Sequence, residues 1–203
     1  MGRSDCKPEP GRVDEAGLAF KGSQLQMQLY ANSHRRALEV EAWREGAIPD
    51  GASLDWISPI EADGYVEYRD TEFLERLSLS HHGPALGAFW PTRGPCWDGL
   101  ARWSKGAESG VLLFEAKSYP EESNSRLMAR AEASILRISE ALDTTSAWLG
   151  LDSTPPSWTS ELYQTANRLA HLYFLRELCG VNVQLILVLI VEDPTHRRTD
   201  WET

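Results

Sequence analysis

Glu115 and Lys117 stand two residues apart at the end of an apolar run, residues 110–119 (GVLLFEAKSY). Side chains alternate between the two faces of a β-strand, so a carboxylate and an ammonium at this spacing point in the same direction. Asp98 lies seventeen positions before Glu115, in the segment PCWDGLARW. The polar stretch SKGAESG between the two segments predicts a hairpin turn. If the strands pair, two carboxylates and one lysine converge.

These three residue types suit hydrolysis of a phosphodiester with a divalent cation. Hard cations such as Mg²⁺ bind carboxylate oxygens and keep several waters, so Asp98 and Glu115 are candidate ligands for Mg²⁺ or Mn²⁺. A bound cation lowers the pKa of its water and offsets charge that grows on the phosphate. Lys117 is the third candidate catalytic residue, because its ammonium can orient the attacking water or stabilise the same charge.

The arrangement resembles the PD-(D/E)XK nuclease superfamily. Trp97-Asp98 stands in place of its Pro-Asp, and Glu115-Ala116-Lys117 matches its acidic-x-Lys triplet. The resemblance implies a restriction-endonuclease-like α/β core, a mixed central β-sheet flanked by helices on both faces. It also implies cleavage of nucleic acid with Mg²⁺ or Mn²⁺, and DNA is favoured over RNA because this superfamily most often cuts DNA. Trp97 departs from the pattern at a position that carries no chemistry.

An acidic-x-Lys triplet is common, and Asp5-Cys6-Lys7 provides a second one in a polar segment. The alternative interpretation is therefore an ion pair between Glu115 and Lys117 on an exposed edge strand, where such pairs contribute little stability. Under this alternative the protein is an inactive nuclease-fold binding or scaffold protein that acts through protein partners.

An arginine-bearing helix is predicted over residues 123–148. Five apolar residues at helical spacing form its buried stripe: Leu127, Ala131, Ile135, Ile138 and Leu142. At ~100° per residue, Arg126, Arg130 and Arg137 lie together on another side of this helix, where they are candidate contacts for a nucleic-acid backbone. The alternative is an ordinary solvated helix face.

A second helix is predicted over residues 157–178, with Gly180 just beyond its end. Some branches of the superfamily carry a glutamine on the helix after the catalytic strands, and Gln164 resembles it. The tyrosine expected four residues later is Arg168 here. Gln164 is therefore a candidate substrate contact, and an exposed helix residue is the alternative.

An early helix over residues 23–45 would be the first helix of the superfamily, which often adds an acidic residue to the metal site. Glu39, Glu41 and Glu45 are all available, and the sequence does not choose among them. The run 181–191 (VNVQLILVLIV) is too short to cross a bilayer, and it predicts a strand covered on both faces in the centre of the sheet.

The composition indicates a soluble globular protein with one domain, since 42% of its 203 residues are hydrophobic and 25% are charged. We expect a flexible leader over residues 1–21, a nuclease-like domain over 22–194 and a polar tail over 195–203. The net charge of −10 means that nucleic-acid binding requires Lys and Arg to be concentrated on one surface.

The three cysteines, Cys6, Cys96 and Cys179, show no metal-ligand spacing, and we expect a reducing cytoplasm in which Cys96 and Cys179 are buried thiols. No Gly-rich phosphate loop, Rossmann fingerprint or Gly-x-Ser-x-Gly motif is present in the sequence. A homodimer or a larger complex is an open alternative to a monomer, and no heptad pattern argues for it.

Overall fold

The computed structural model describes residue 6 and residues 11–195, which form a four-stranded sheet and its surrounding helices. The strands, in spatial and sequence order, are β1 (Ser53–Ser58), β2 (Gly99–Lys105), β3 (Glu108–Lys117) and β4 (Val183–Leu189). The first three pair antiparallel, and β4 lies parallel to β3. The predicted α/β class with a mixed sheet is confirmed.

Six α-helices accompany the sheet in the described part of the chain. They are α1 (Gly22–Asn32), α2 (Arg35–Arg44), α3 (Asp70–Arg76), α4 (Gly83–Phe89), α5 (Glu132–Trp148) and α6 (Tyr163–Tyr173). A π-helical turn, Phe174–Leu178, continues α6. Short 3-10 turns lie at Glu61–Asp63, Ser80–His82, Pro120–Ser123 and Pro156–Trp158.

Strand β3 is interior to the sheet, and its alternating side chains enter two separate cores. Val111 and Leu113 pack in the cluster that also holds buried residues of α3, α4, α5 and α6. Leu112 and Phe114 pack in the opposite cluster with Met27 of α1. Because a strand alternates faces, this arrangement directs Glu115 and Lys117 to the side of α5 and α6.

The predicted hairpin between β2 and β3 is confirmed, and a tight turn at Gly106 (φ +60°) joins the two strands. Gly99 opens β2 opposite Phe114. A Cβ at position 99 would lie 2.9 Å from the Met27 Cε and 3.2 Å from the Phe114 Cβ. Glycine therefore lets α1 approach the sheet closely, directly after Asp98.

The predicted helix over 23–45 is wrong as a single element, because it divides into α1 and α2 at residues 33–34. The Asn32 side chain bonds to the carbonyl of Gln28 in its own helix and to the carbonyl of Pro59, and it accepts from the Glu61 N–H. These contacts tie the end of α1 to the loop after β1, so the chain turns there.

The predicted start of the arginine-bearing helix is also wrong, because α5 begins only at Glu132. Before it, Ser125 forms a parallel bridge with Leu162, and the Leu127 N–H donates to the Thr159 carbonyl. These long-range backbone bonds hold the segment extended and override its local helix propensity. Ile138 and Leu142 of the predicted stripe are buried in the core.

Strand β4 is an edge strand, which corrects its predicted place in the centre of the sheet. Leu187 and Leu189 are each 54% exposed and Val191 is 63% exposed. The register pairs Leu187 with Glu115 and Leu189 with Lys117. In a parallel pair these partners share a face, so an exposed apolar row borders the two charged residues.

Part of the predicted leader, residues 11–21, contacts the rest of the domain. Val13 forms a bridge with Ala19, and the Ala19 N–H donates to the Gln28 Oε1 on α1. The other leader residues, except Cys6, lie outside the described part of the chain, as do residues 196–203 of the predicted tail. Among the described residues, no helix has the length and apolar character needed to span a membrane.

Candidate active site

Glu115 lies near the end of β3 and is held between two positively charged side chains. Its Oε1 accepts from the Lys117 Nζ, and its Oε2 accepts from the Arg168 Nε at 2.7 Å. The Glu115 side chain is only 4% exposed, so these charge-assisted bonds lie in a largely dry environment. The predicted common direction of Glu115 and Lys117 is thus present in the structure.

Asp98 occupies a bend directly before β2 and reaches across to β3. Its Oδ2 accepts from the Ala116 N–H at 2.7 Å, so a side chain takes the place of a ladder bond at the end of the hairpin. Ala116 is the neighbour of Glu115, and this bond therefore brings the two predicted acids together.

A third carboxyl group, that of Glu67, joins them from the loop before α3. Tyr68 forms an isolated bridge with Trp97, which sets Glu67 beside Asp98. The Glu67 Oε1 accepts from the Gln24 Nε2 at 3.2 Å. The sequence reasoning missed Glu67, because nothing in its spacing from Asp98 distinguishes it from the other acidic residues of the same loop.

Burial and crowding change the proton affinities of Asp98 and Glu67. Burial, followed by the nearby Glu115 charge, raises the pKa of Asp98 to about 7, against the opposing effect of Lys117. Burial, followed by the Asp98 charge, raises the pKa of Glu67 to about 8, and the bond from Gln24 opposes this shift. Asp98 and Glu67 therefore retain protons near neutral pH when no metal ion compensates their charge.

Arg168 of α6 is the second residue that the sequence reasoning missed at this site. Besides Glu115, it contacts the Cys96 carbonyl through its Nη2 at 2.9 Å. Its guanidinium carbon lies 5.3 Å from the ring centre of Trp97. A signal was available, because Arg168 is four residues after the candidate Gln164 and therefore shares its helix face.

The segment that carries Asp98 is fixed from both sides. Asp70 accepts from the backbone N–H groups of Arg93 and Gly94, at 3.0 and 2.8 Å. Cys96 forms a disulfide with Cys6, with a Cα–Cα distance of 6.0 Å. The expectation that Cys96 is a buried thiol is therefore wrong, while Cys179 is free and partly buried.

Gln164 is the second residue of α6 and lies one turn before Arg168, and its backbone N–H donates to the Ser125 Oγ at 2.6 Å. Arg126 and Arg130 are exposed in the extended segment before α5, and Arg137 donates to the Gly87 carbonyl of α4 at 3.0 Å. The helical line that was predicted to align the three arginines does not form. Their role, like that of Gln164, stays a prediction.

The three candidate acids of the early helix lie on or beside α2. Glu39 pairs with Arg36 and Glu41 pairs with Arg44, while Glu45 is the C-cap residue directly after the helix. The acid beside Asp98 is Glu67 instead.

The donor chemistry of the site fits Mg²⁺ or Mn²⁺, because all three acids offer hard oxygen atoms. The Glu67 Oε2 lies 3.7 Å from the Cys96 Sγ, a disulfide sulfur with no proton to donate. Across residue 6 and residues 11–195, however, no three His, Cys, Asp or Glu side chains already stand as a group that could hold a metal ion. The engagement of both Glu115 oxygens by Lys117 and Arg168 provides a physical reason.

Comparison of the chain with protein-family profiles, with curated proteins and with solved structures finds no match.

Proposed function

We propose that this protein is a metal-dependent phosphodiester hydrolase of the PD-(D/E)XK type. The observation that carries the proposal is the meeting of Asp98, Glu115 and Lys117 at one end of the β2–β3 hairpin. Glu115 lies on β3 and Asp98 directly before β2, and the β-sheet order of three antiparallel strands followed by a parallel one is compatible with the resemblance.

In this proposal Asp98 and Glu115 hold Mg²⁺ or Mn²⁺, and Glu67 adds a third oxygen donor. The cation supplies Lewis-acid stabilisation of charge on the phosphate and lowers the pKa of water. Lys117 orients the attacking water, and its ion pair with Glu115 keeps its ammonium at the site. The backbone bond from Ala116 prevents Asp98 from turning away.

The proposed substrate is nucleic acid, with DNA favoured over RNA, because of the resemblance alone. The net charge of −10 requires local positive groups, and Arg126 and Arg130 are exposed in the segment that follows β3. A homodimer or a larger complex would provide a way to cut both strands. The cytoplasmic location stays a prediction. The sequence argument for it took the cysteines as unpaired, whereas Cys6 and Cys96 form a disulfide, and cytosolic disulfides are rare.

The proposal is tested by incubating the protein with plasmid and single-stranded DNA in the presence of Mg²⁺ or Mn²⁺. We expect cleavage that falls by about 100-fold or more in Lys117→Ala. Lys105→Ala is the matched control, because Lys105 is an exposed lysine at the other end of the same hairpin. Cleavage that survives in Lys117→Ala, or none in the wild type, would refute the proposed role.

A titration with Mn²⁺ tests the cation site without a substrate. We expect Asp98→Asn to lose Mn²⁺ binding and the exposed control Asp55→Asn to retain it. Equal affinities in the two variants would exclude Asp98 as a ligand.

A second candidate function is a nuclease-fold binding protein without catalysis. The observation in its favour is the closed charge network, in which Lys117 and Arg168 satisfy both oxygens of Glu115. Under this alternative the acids stabilise the junction of β2, β3 and α6, and the protein binds no Mn²⁺ at Asp98. The titration above therefore distinguishes the two candidates.

A further inference from the structure

Two positively charged side chains contact Glu115, and together they leave neither oxygen of its carboxylate without a partner. Lys117 and Arg168 each bind a different oxygen, and their side chains are 14% and 5% exposed. A divalent cation bound to the Glu115 carboxylate would lie close to the ammonium of Lys117 and the guanidinium of Arg168. Since like charges repel strongly where water is excluded, withdrawal of Lys117 or Arg168 from Glu115 would favour binding of the divalent cation.

Of the two partners of Glu115, Arg168 is the one with further contacts that keep it at the site after its bond to Glu115 breaks. Its guanidinium offers five donors in a planar fork, of which Nε contacts Glu115 and Nη2 contacts the Cys96 carbonyl. The face of Trp97 lies 5.3 Å away and also attracts this group. If the Nε bond breaks, the Cys96 carbonyl and Trp97 still hold the guanidinium beside Asp98.

Stability alone gives little reason to keep this arginine. Replacing a buried ion pair by apolar residues is often neutral or stabilising, because both charges lose their hydration. Arg168 shares its face of α6 with His171 and Leu172, three and four residues later, and both are buried. A buried guanidinium at this point therefore calls for a role at the site itself.

We propose that Arg168 competes with the divalent cation for Glu115, and that cation binding releases its guanidinium to contact the substrate phosphate. This inference rests on the proposed function and adds to it a change of partner by Arg168 when the cation binds. Before the cation arrives, Arg168 neutralises Glu115 and keeps it in position. Afterwards the planar fork is available to a phosphate oxygen pair, the geometry that arginine matches best.

Mn²⁺ titration of Arg168→Gln, without substrate, tests the competition. We expect about tenfold tighter Mn²⁺ binding than in the wild type, the scale on which neighbours of metal ligands change affinity. Cleavage by the same variant should fall by about 100-fold, because the phosphate loses a charged donor. Arg44→Gln, at an exposed arginine on α2 that pairs with Glu41, is the matched control and should change neither quantity. Unchanged or weaker Mn²⁺ binding by folded Arg168→Gln would overturn the inference.

A second measurement uses the wild-type protein and does not depend on the folding of a variant. Phenylglyoxal modifies accessible guanidinium groups, and mass spectrometry of the digested protein reports each arginine separately. Saturating Mn²⁺ should increase the labelling rate of Arg168 about fivefold or more, since a guanidinium that has lost its bond to Glu115 samples open states more often. The exposed Arg44 should label at the same rate throughout. No increase at Arg168 would contradict the proposed release.

The outcomes separate this inference from the proposed function. Mn²⁺ binding that depends on Asp98 but ignores Arg168 would refute the competition and leave the hydrolase proposal intact. Failure of the wild type and of Arg168→Gln to bind Mn²⁺ would refute both.

Discussion

His171 should make the protein sensitive to mild acid. The residue is 1% exposed on α6, among the rings of Phe73, Trp90 and Trp97. Its Nδ1 donates to the Asn167 carbonyl at 2.9 Å. Burial lowers the pKa of His171 to about 3, from an ordinary value of 6.5, and the bond to Asn167 opposes the shift. The folded protein therefore keeps this imidazole neutral where the unfolded chain protonates it.

The sign and size of the effect follow from proton linkage. A base whose folded pKa is depressed contributes stability above its unfolded pKa, and this contribution is lost as the pH falls from 6.5 towards 3. Each pH unit below 6.5 costs about 1.4 kcal/mol, so the loss from this group is roughly 2 kcal/mol at about pH 5. Asp98 and Glu67, whose pKa values are raised, act in the opposite direction.

The other titrating groups are present in both the wild type and His171→Phe. The difference between the two proteins in how the free energy of unfolding changes with pH therefore reports His171 alone. Phenylalanine keeps an aromatic ring without titrating, and the adjacent cavity of about 60 Å³, lined by His171, Trp90 and Leu86, provides room for the larger ring. Urea unfolding at about pH 7.5 and pH 5 gives the free energy of unfolding for both proteins. We expect the wild type to lose roughly 2 kcal/mol more than His171→Phe between these values. His81→Gln, at an exposed histidine, should behave as the wild type.

Parallel losses in the wild type and His171→Phe would refute this reasoning. They would mean that His171 becomes protonated in the folded state, and hence that its aromatic surroundings admit water.

Three further predictions concern other parts of the molecule. Cys6→Ser should lower the free energy of unfolding by about 4–5 kcal/mol in a denaturation assay under oxidising conditions, because the disulfide spans 90 residues. Cys179→Ser, at the free cysteine, should have little effect in the same assay. Gly99→Ala should cost about 1–3 kcal/mol in thermal unfolding, because the added Cβ meets Met27 and Phe114 at 3.2 Å or less; wild-type stability would show that α1 shifts freely. Glu67→Gln should weaken Mn²⁺ binding about tenfold or more, and the exposed control Glu75→Gln should not; equal affinities would exclude Glu67 as a ligand.

Local patterns were sufficient for the part of the site that lies on one hairpin. The alternation within GVLLFEAKSY predicts that Glu115 and Lys117 share a face, and the polar turn predicts the pairing that brings Asp98 alongside. Both inferences concern residues close in sequence, where strand geometry leaves few choices.

Long-range contacts decided the elements that the patterns described wrongly. The segment before α5 has helical spacing, but its backbone bonds to Thr159 and Glu161 hold it extended. The apolar run of β4 has the composition of a central strand, yet β4 is an edge whose Leu187 and Leu189 are exposed. Composition reports the hydrophobicity of a strand and not its number of neighbours.

The sequence by itself determined the α/β class, the hairpin and the shared direction of Glu115 and Lys117, because these depend on the period of a strand and on a short turn. The tertiary structure alone decided that Glu67, Arg168 and the Cys6–Cys96 disulfide meet at the same point. These groups come from separate loops and helices, and no local rule relates their positions. Their interaction arises only when the folded chain excludes water around them, which is also what raises the pKa values of Asp98 and Glu67.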